Sequence, residues 1–337
     1  MDLKKLTDKE IASLDVLYLA PFAPLDHDKA PPPMHRSVGV VPRYNFEIYK
    51  LLQSLGFRVT PCHDLDEFVE TAKNYNYIFT IYNRADFRNS EVLVSSVCEY
   101  FKIPYLGAPP NLRAIAEDKY FGKVLAASLG IPTGPSKIFK NHSGIKEKPD
   151  FPGPYFIKPR FGAASEEIAN TSFQNSWNNA LPIVTQVLDK GKECIVEPGI
   201  EGIDITVPVL GGDPPIILPC VEDLSHLPFG IVTYCQKRQM AKGIKRSIFR
   251  DNTLNEMLKD YALCLSEQLS PFDYLRIDFR LEKNSRKLYF LEVGFGCNLS
   301  SFSAFTLAAE HIQRTQKDII NHIISYSLRR QQNMQYR

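Results

Sequence analysis

Tyr274-Leu-Arg-Ile-Asp-Phe-Arg280 and Leu288-Tyr-Phe-Leu-Glu-Val-Gly-Phe-Gly-Cys-Asn-Leu-Ser-Ser-Phe-Ser303 are the two segments that decide the fold. Both are rich in β-branched and aromatic residues and predict strands, which a polar turn joins into a hairpin. Asp278 and Glu292 would then lie on neighbouring antiparallel strands, where a buried carboxylate needs a partner. With Arg276 beside them, two interpretations are open: a site for Mg²⁺ and phosphate, or a buried salt bridge.

The composition excludes several classes of protein. The 337 residues, 44% apolar and 23% charged, are typical of a globular chain of two or three domains. A net charge of +2 gives no argument for a nucleic-acid partner. The seven cysteines include no Cys-x-x-Cys pair, which disfavours a zinc site. Cysteines scattered singly along a chain are typical of a protein in a reducing compartment. Because neither a signal peptide nor a membrane span is recognisable, we expect a cytoplasmic protein without a membrane partner.

Strand and helix segments alternate along residues 1–112, which predicts a parallel sheet covered by helices on both faces. A second unit begins near Asp118 and a third near Glu193. The loop that ends at Pro42 is long and rich in proline, and such loops are often functional. The predicted strands are 16–20, 57–60, 77–82, 103–107, 154–159, 193–198 and 205–210, and the predicted helices are 48–55, 90–101, 119–129, 254–268 and 303–330.

Three polar residues stand at the ends of predicted strands. Lys158 precedes a loop of small residues, whose backbone N–H groups would cradle phosphate oxygens, or it is a lysine that reaches solvent from a turn. Glu197 and Asp204 flank a glycine-containing turn. Carboxylates there would read the amino group of adenine and the hydroxyls of ribose, or they belong to a solvated turn.

The segment 234–250 holds six basic residues and no acidic one. It is a nucleic-acid patch, a solvated face, or a mobile clamp over a polyanion that uses Lys237 or Arg238. Ser300, Ser301 and Ser303 precede the last predicted helix. Their hydroxyl groups would bind a carboxylate or phosphate, or simply cap the helix.

Five short motifs occur in a fixed order along the chain. They are Asp118-Lys119-x-x-x-Lys123, Ile157-Lys158-Pro159, Val196-Glu-Pro-Gly-Ile-Glu-Gly-Ile-Asp204, Arg276-Ile-Asp278-Phe and Leu291-Glu292-Val. Together they resemble the ATP-grasp superfamily, most closely its D-alanine–D-alanine ligase branch, over nearly the whole chain. The resemblance implies an α/β (α+β) ATP-grasp fold with an N-terminal domain at 1–115, a central lid domain at 116–190 and a C-terminal catalytic domain at 191–337. ATP would be held between the last two domains.

The resemblance also implies roles for individual residues. The ATP-binding residues would be Lys123, Lys158, Glu197, Ile200 and Asp204, with Lys119 as the neighbour that is easily confused with Lys123. The catalytic residues would be Arg276, Lys237 and Ser165. The Mg²⁺ ligands would be Asp278, Glu292 and Asn298. The substrate carboxylate would be held by Ser303 and Ser301.

The chain departs from the D-alanine–D-alanine ligase pattern in three places. Gly294 replaces the asparagine of the family's Glu-x-Asn motif, so the second of two Mg²⁺ ions either takes Asn298 or binds more weakly. Cys297-Asn298 replaces the Pro-Gly that follows in the family. The glutamate that orients the first D-alanine and the tyrosine after the mobile-loop lysine have no clear counterparts. The residues that would bind the nucleotide are therefore retained, whereas the residues that would bind D-alanine are not.

We therefore expect an ADP-forming C–N ligase that phosphorylates an acid-like acceptor and condenses it with an amino acid. The acceptor would contact Arg84 and Arg43, with His35, Arg36 and Asn83 nearby, unless these residues form only a solvated loop. The segments around Asn83 and Arg84 also resemble the relative that joins serine or threonine to mycosporine-glycine. The alternatives are a true D-alanine–D-alanine ligase and a non-catalytic ATP-binding module. A homodimer is implied by the resemblance alone.

Overall fold

The structure, a computed structural model, describes residues 3–26, 29–82, 85, 87, 90–162, 165–240 and 243–332. Its strands are β1 (Asp15–Leu19), β2 (Arg58–Cys62), β3 (Tyr77–Thr80), β4 (Lys137–Phe139), β5 (Tyr155–Pro159), β6 (Phe173–Gln174), β7 (Cys194–Pro198), β8 (Gly202–Leu210), β9 (Ile216–Ile217), β10 (Val221–Leu224), β11 (Lys245–Ile248), β12 (Tyr274–Glu282) and β13 (Leu288–Gly294). Its helices are α1 (Asp8–Ala12), α2 (Val41–Ser54), α3 (Leu65–Thr71), α4 (Leu93–Phe101), α5 (Pro110–Glu117), α6 (Lys119–Ser128), α7 (Trp177–Asp189), α8 (Tyr234–Lys237), α9 (Asn252–Gln268), α10 (Ala304–His311) and α11 (Gln316–Gln332). Within the described ranges, no helix combines the length and the apolar character that a membrane crossing requires.

The first sheet is parallel and has the strand order β2-β1-β3, as the alternating segments predicted. α2 buries Ile48 and Leu52 in the core beside it. The predicted strand at 103–107 is wrong, because that segment makes only one bridge, between Ile78 and Tyr105. Gly107 has a φ of +121° and turns the chain away, so the pairing cannot extend.

The second sheet is antiparallel and has the strand order β4-β7-β5-β6. One face packs against α7, where Val184 joins Ile157 and Val196 in a buried cluster. Side chains alternate along a strand, so Lys158 and Glu197 lie on the opposite face of this sheet. That face is directed toward the third sheet and forms one wall of the cleft described below.

The third sheet is antiparallel, with the order β11-β10-β8-β12-β13 and with β9 beside β8. One face is apolar, and its Val207 and Ile277 cluster with Leu258 of α9. Asp278 pairs directly with Glu292 across β12 and β13, which confirms the predicted neighbouring strands. α5 and α6 pack on the same apolar face. The domain boundaries at 115 and 190 stay a prediction.

The predicted single helix at 303–330 is wrong, because the chain forms two helices there, α10 and α11. Between them Gln313 adopts a φ of +59°, which a continuous helix does not allow. Thr315 and Asp318 then form a reciprocal cap: the Thr315 N–H donates to Asp318 Oδ2, and the Asp318 N–H donates to Thr315 Oγ1. The Thr-x-x-Asp signal of a new helix start is present in the sequence.

Candidate active site

A cleft lies between the second and third sheets and encloses about 1020 Å³, including the part open to solvent. Its two walls contribute different chemistry. The wall from the second sheet includes Phe156, Lys158, Phe173 and Glu197. The wall from the third sheet includes Asp204, Thr206, Arg276, Asp278, Arg280, Leu291 and Glu292.

The period of a strand explains why the third sheet is polar toward this cleft. Along β8, Asp204 and Thr206 point to the cleft, whereas Ile205 and Val207 are buried in the apolar core. β12 lies beside β8 with Asp278 opposite Thr206, and its Arg276, Asp278 and Arg280 therefore share the same face. Thr206 Oγ1 donates a hydrogen bond of 2.7 Å to Asp278 Oδ1 and fixes that carboxylate.

Arg276 bridges the two facing carboxylates. Its Nε lies 3.1 Å from Asp278 Oδ2 and its Nη2 lies 3.4 Å from Glu292 Oε1. Burial would raise the pKa of Glu292, but the charges of Lys119, Lys237 and Arg276 outweigh burial and hold it at about 2. Burial raises the pKa of Asp278, and the neighbouring charge of Glu292 adds to that shift. The salt-bridge interpretation is therefore confirmed, and the bridges lie inside a cleft, while the site for Mg²⁺ and phosphate stays a prediction.

Two lysines share one carboxylate on the opposite wall. Glu197 forms ion pairs with Lys123, through Oε1, and with Lys158, through Oε2 at 2.6 Å. Each of the three side chains is less than a tenth exposed. Burial would raise the pKa of Glu197, but the two ammonium groups outweigh burial and hold it at about 2. Burial lowers the pKa of Lys123 despite Glu197.

One end of the cleft is apolar and is lined by Phe156, Phe173, Ile200, Ile231, Val232 and Leu291. Phe173 of the second sheet stacks on Phe229 with ring centroids 3.9 Å apart and an interplanar angle of 6°. This end suits a flat aromatic group. Arg280 of β12 donates to the carbonyls of Ile200 and Phe229 at this apolar end. Asp278 and Arg276 lie two and four residues away on the same face of that strand, so the cleft runs from an apolar end to a charged one.

Three further residues named from the sequence, Ser165, Lys119 and Lys237, also line the cleft. Ser165 is buried in the small-residue loop and has a φ of +56°. Lys119 donates a hydrogen bond to the Gly162 carbonyl of the same loop and lines the cleft, whereas Lys123 reaches the cleft only through its ion pair with Glu197. Lys237 is the last residue of α8, a helix that Thr233 caps, and it lines the cleft as well.

Comparison with known proteins assigns the family. The family described as "D-ala D-ala ligase C-terminus" matches residues 125–325, which is more than half of the chain. The chain belongs to the D-alanine–D-alanine ligase family. It is therefore an ATP-grasp ligase, of the class that forms C–N bonds and releases ADP.

Relatives of this ligase resemble it over most of its length. The D-alanine–D-alanine ligase of Aquifex aeolicus is 29% identical over 69% of this chain and 76% of that protein. The D-alanine–D-alanine ligase of Carboxydothermus hydrogenoformans is 25% identical over 83% of this chain and 91% of that protein. The solved D-alanine–D-alanine ligase of Bacillus anthracis complexed with ATP gives a TM-score of 0.71 at 16% identity, covering 95% of this chain and 99% of that chain. That similarity confirms the ATP-grasp fold.

The residues predicted to bind the substrate carboxylate make other contacts in the ligase. Ser303 is buried and caps α10, where its Oγ accepts from the Thr306 N–H at 3.1 Å. Ser301 is exposed. The Oγ of Ser300 is buried and has no hydrogen-bond partner among the described residues. Helix capping, the alternative that the sequence left open, is therefore what Ser303 does in this structure.

The predicted acceptor residues lie on the N-terminal side of the ligase. Arg43 is exposed and pairs with Glu47 at 3.0 Å, one helical turn away. His35 and Gly39 form a bridge in the proline-rich loop, where Arg36 is exposed. Arg84 and Asn83 lie outside the described residues.

The donor set of the ligase fits one Mg²⁺. Asp278 and Glu292 present two carboxylates, and Mg²⁺ commonly takes one or two carboxylates together with phosphate oxygens and water. No cluster of three His, Cys, Asp or Glu side chains suited to a metal occurs in the part of the chain that the structure covers. A Cβ atom on Gly294 would meet nothing within 4 Å, so the missing family asparagine leaves open space there. Asn298 is exposed, and its Oδ1 accepts from the Ser300 N–H at 2.8 Å.

Sequence reasoning missed several cleft residues of the ligase. Arg280 binds Asp204, and Arg246 binds Asp223, which also lines the cleft. The segment 234–250 is not a plain basic loop, since it contains α8 and β11. The alternating pattern of β12 carries a signal for Arg280, because it places that residue on the same face as Arg276 and Asp278.

Proposed function

We propose that this ligase transfers a phosphoryl group from ATP to an acid-like acceptor and then joins the acceptor to the amine of an amino acid. The observation that carries the proposal is the order of chemistry along the cleft. An apolar pocket lies at one end, and lysines, an arginine and two facing carboxylates lie at the other. A nucleoside triphosphate has the same order of apolar base and anionic phosphates.

The side chains of the charged end divide the work of phosphoryl transfer. Lys123 and Lys158 are buried cations that would bind phosphate oxygens, and Glu197 compensates their charge before ATP arrives. Arg276 would hold the transferring phosphoryl group in line with the acceptor and stabilise its charge. Asp278 and Glu292 would hold Mg²⁺, which supplies charge neutralisation at the phosphate oxygens. Ser165, in its loop, and Lys237, at the end of α8, would cover the phosphates and exclude water from them.

For the acceptor we propose mycosporine-glycine, with serine or threonine as the amine. Support comes from the resemblance of Asn83-Arg84 and Leu106-Gly-Ala-Pro-Pro-Asn111 to that relative, and from Cys297-Asn298 in place of the Pro-Gly of D-alanine–D-alanine ligases. The second candidate is synthesis of D-alanyl-D-alanine. It is favoured by the names of the two relatives that this chain covers over 76% and 91% of their lengths.

The test is phosphate release from MgATP across a matrix of amino acids and acceptors that includes D-alanine pairs and mycosporine-glycine. Turnover with one pair, and a product that mass spectrometry finds lighter by one water than the sum of the partners, would support the proposal. Glu292→Ala should lower turnover at least roughly 100-fold, since it removes a charge partner of Arg276 and a Mg²⁺ ligand. Glu282→Ala, on the same hairpin but outside the cleft, is the matched control and should turn over normally.

Two outcomes would count against the proposal. If Glu292→Ala retained the activity of Glu282→Ala, the facing carboxylates would not be the site of phosphoryl transfer. If the protein bound ATP but released no phosphate with any pair, the non-catalytic alternative would be favoured.

A further inference from the structure

Arg280 is a buried arginine that ties together three segments at the apolar half of the cleft. Its Nη1 lies 2.7 Å from Asp204 Oδ1 and donates to the Gly230 carbonyl at 3.0 Å. Its Nε donates to the Ile200 carbonyl at 3.0 Å, and its Nη2 donates to the Phe229 carbonyl. All three nitrogens of the guanidinium group are therefore used within the protein.

The segments that Arg280 joins are distant from one another along the chain. Ile200 lies in the turn between β7 and β8, and Phe229 and Gly230 form a separate turn. Phe229 has a φ of +60°, and a Cβ atom on Gly230 would lie 2.0 Å from the Gly202 carbonyl oxygen. This tight turn places the Phe229 ring on Phe173. The planar fork of arginine suits such a convergence of carbonyls and a carboxylate, because it presents five donors in fixed directions.

The position of Arg280 along β12 shows which part of a ligand it would influence. It lies two residues from Asp278, which is about 7 Å along a strand. Asp204, opposite Arg280 on β8, is likewise two residues from Thr206. The pair therefore stands between the charged end of the cleft and the Phe173–Phe229 stack. In a nucleotide the sugar occupies the position between phosphates and base.

The exposure of the two side chains indicates their division of roles. Arg280 is 9% exposed, whereas Asp204 is 25% exposed and lines the cleft. The ion pair uses Asp204 Oδ1. Arg280 thus lies beneath the carboxylate and fixes its direction, and Asp204 is the member of the pair that a ligand reaches.

We propose that Arg280 is a positioning residue that sets the selectivity of this ligase for ribonucleotides. By holding Asp204 in one orientation, it makes that carboxylate an acceptor for the 2′- and 3′-hydroxyl groups of the ribose. The same guanidinium group holds the Ile200 carbonyl and the Phe229–Gly230 turn around the base. This inference rests on the proposed use of ATP.

The test is calorimetric binding of MgATP and of Mg-2′-deoxyATP, which needs no acceptor. The unmodified protein should bind the deoxynucleotide roughly tenfold more weakly, because one charge-assisted hydrogen bond is lost. Arg280→Met should weaken binding of both nucleotides, but that of ATP roughly tenfold more than that of 2′-deoxyATP, so that the ratio of dissociation constants approaches one. Asp204→Asn and the Asp204→Asn/Arg280→Met double variant should give the same ratio, since Arg280 acts through Asp204.

Arg286→Met is the matched control, because Arg286 pairs with Asp251 at 2.6 Å on the same hairpin but outside the cleft. It should keep the discrimination of the unmodified protein. Equal weakening of both nucleotides by Arg280→Met would overturn the proposal and assign Arg280 a purely structural role. If Arg280→Met does not fold, Arg280→Lys decides: a ratio below that of the unmodified protein supports the proposal, and an unchanged ratio overturns it. This binding test is independent of the activity test. A protein without turnover can still discriminate between the two nucleotides, and an active ligase can fail to do so.

Discussion

Two buried ion clusters of this ligase differ in their charge balance. Asp273 and Arg330 form a one-to-one pair at 2.5 Å, with side chains 0% and 5% exposed. In the second cluster, two lysines, Lys123 and Lys158, share the single carboxylate of Glu197. The first cluster is balanced, whereas the second has a local surplus of positive charge.

The surroundings of the two clusters explain this difference. Asp273 Oδ2 also accepts from the Gly107 N–H at 2.6 Å, and Arg330 Nη2 donates to the Gly107 carbonyl at 3.3 Å. These bonds join α11 to the connection that follows the N-terminal sheet, and the pair is satisfied within the protein. Lys158 and Glu197 instead line the cleft. The contrast teaches that a balanced, enclosed pair serves the fold, while a surplus charge beside a cleft is suited to an anionic ligand.

The largest effect is expected from breaking the balanced pair. Asp273→Asn should lower the free energy of unfolding by about 3–5 kcal/mol, because Arg330 would keep a buried charge without its carboxylate. Urea unfolding followed by circular dichroism measures this. Glu256→Gln, which breaks an exposed pair with Lys259, is the control and should change stability by less than about 0.5 kcal/mol. A similarly small loss for Asp273→Asn would contradict the structural role of the pair.

A smaller effect on stability, and a larger one on ligand binding, is expected from Lys158→Met. Lys123 and Glu197 would remain as a one-to-one pair, so the protein should stay folded and lose less stability than Asp273→Asn loses. Its affinity for ATP should fall roughly 10- to 100-fold, since one charge-assisted phosphate contact is removed. Calorimetry and urea unfolding separate the two effects.

Lys137→Met is the control for that variant, because Lys137 lies in the same sheet and pairs with Glu147 away from the cleft. It should bind ATP as the unmodified protein does. If Lys158→Met lowered the free energy of unfolding as much as Asp273→Asn does, the cluster around Glu197 would also serve mainly to stabilise the fold.

The smallest effect concerns pH and a third buried polar contact. His322 Nδ1 accepts from the Lys4 N–H at 2.9 Å, and its Nε2 contacts the Gly211 carbonyl at 3.0 Å. Burial lowers the pKa of His322 in the folded state. The unfolded chain therefore binds the proton more readily, and the stabilising contribution is present above about pH 6.5 and is lost as the pH falls below it.

The slope of unfolding free energy against pH should reach at most about 1.4 kcal/mol per pH unit from this one group. His322→Phe should remove that part of the slope between pH 6.5 and 5. His142→Asn, at an exposed histidine paired with Asp189, should leave the slope as it is. Identical slopes for His322→Phe and the unmodified protein would show that His322 does not titrate on unfolding.

Features that depend on neighbouring residues were predicted from the sequence more accurately than contacts between residues that are distant along the chain. The hairpin of β12 and β13 was predicted with Asp278 and Glu292 on neighbouring strands, because the strand pattern and a short polar turn define such a hairpin locally; the structure adds that the two residues pair directly. α9 was predicted at 254–268 and is found at Asn252–Gln268. The break between α10 and α11 was missed, although its Thr-x-x-Asp signal is local.

Contacts between distant segments were beyond the reach of the same reasoning. Arg280 appeared as an ordinary charged residue in a strand, since its partner Asp204 is 76 residues away. The predicted role of Ser303 was left between ligand binding and capping, and only the position of Thr306 beneath it showed the cap. The roles predicted for the site residues are still to be tested by the measurements above.

By itself the sequence predicted the five ordered motifs, the strands β1–β3, β5, β7, β8, β12 and β13, and the helices α2, α4, α6 and α9, because periodicity and spacing are properties of neighbouring residues. The family followed from those motifs. Only the tertiary structure decided which charges meet: Lys123 reaches Glu197 across 74 residues, and Arg330 reaches Asp273 across 57. The physical reason is that the energy of a buried charge depends on which partner the packing of distant sheets and helices brings within a few ångströms.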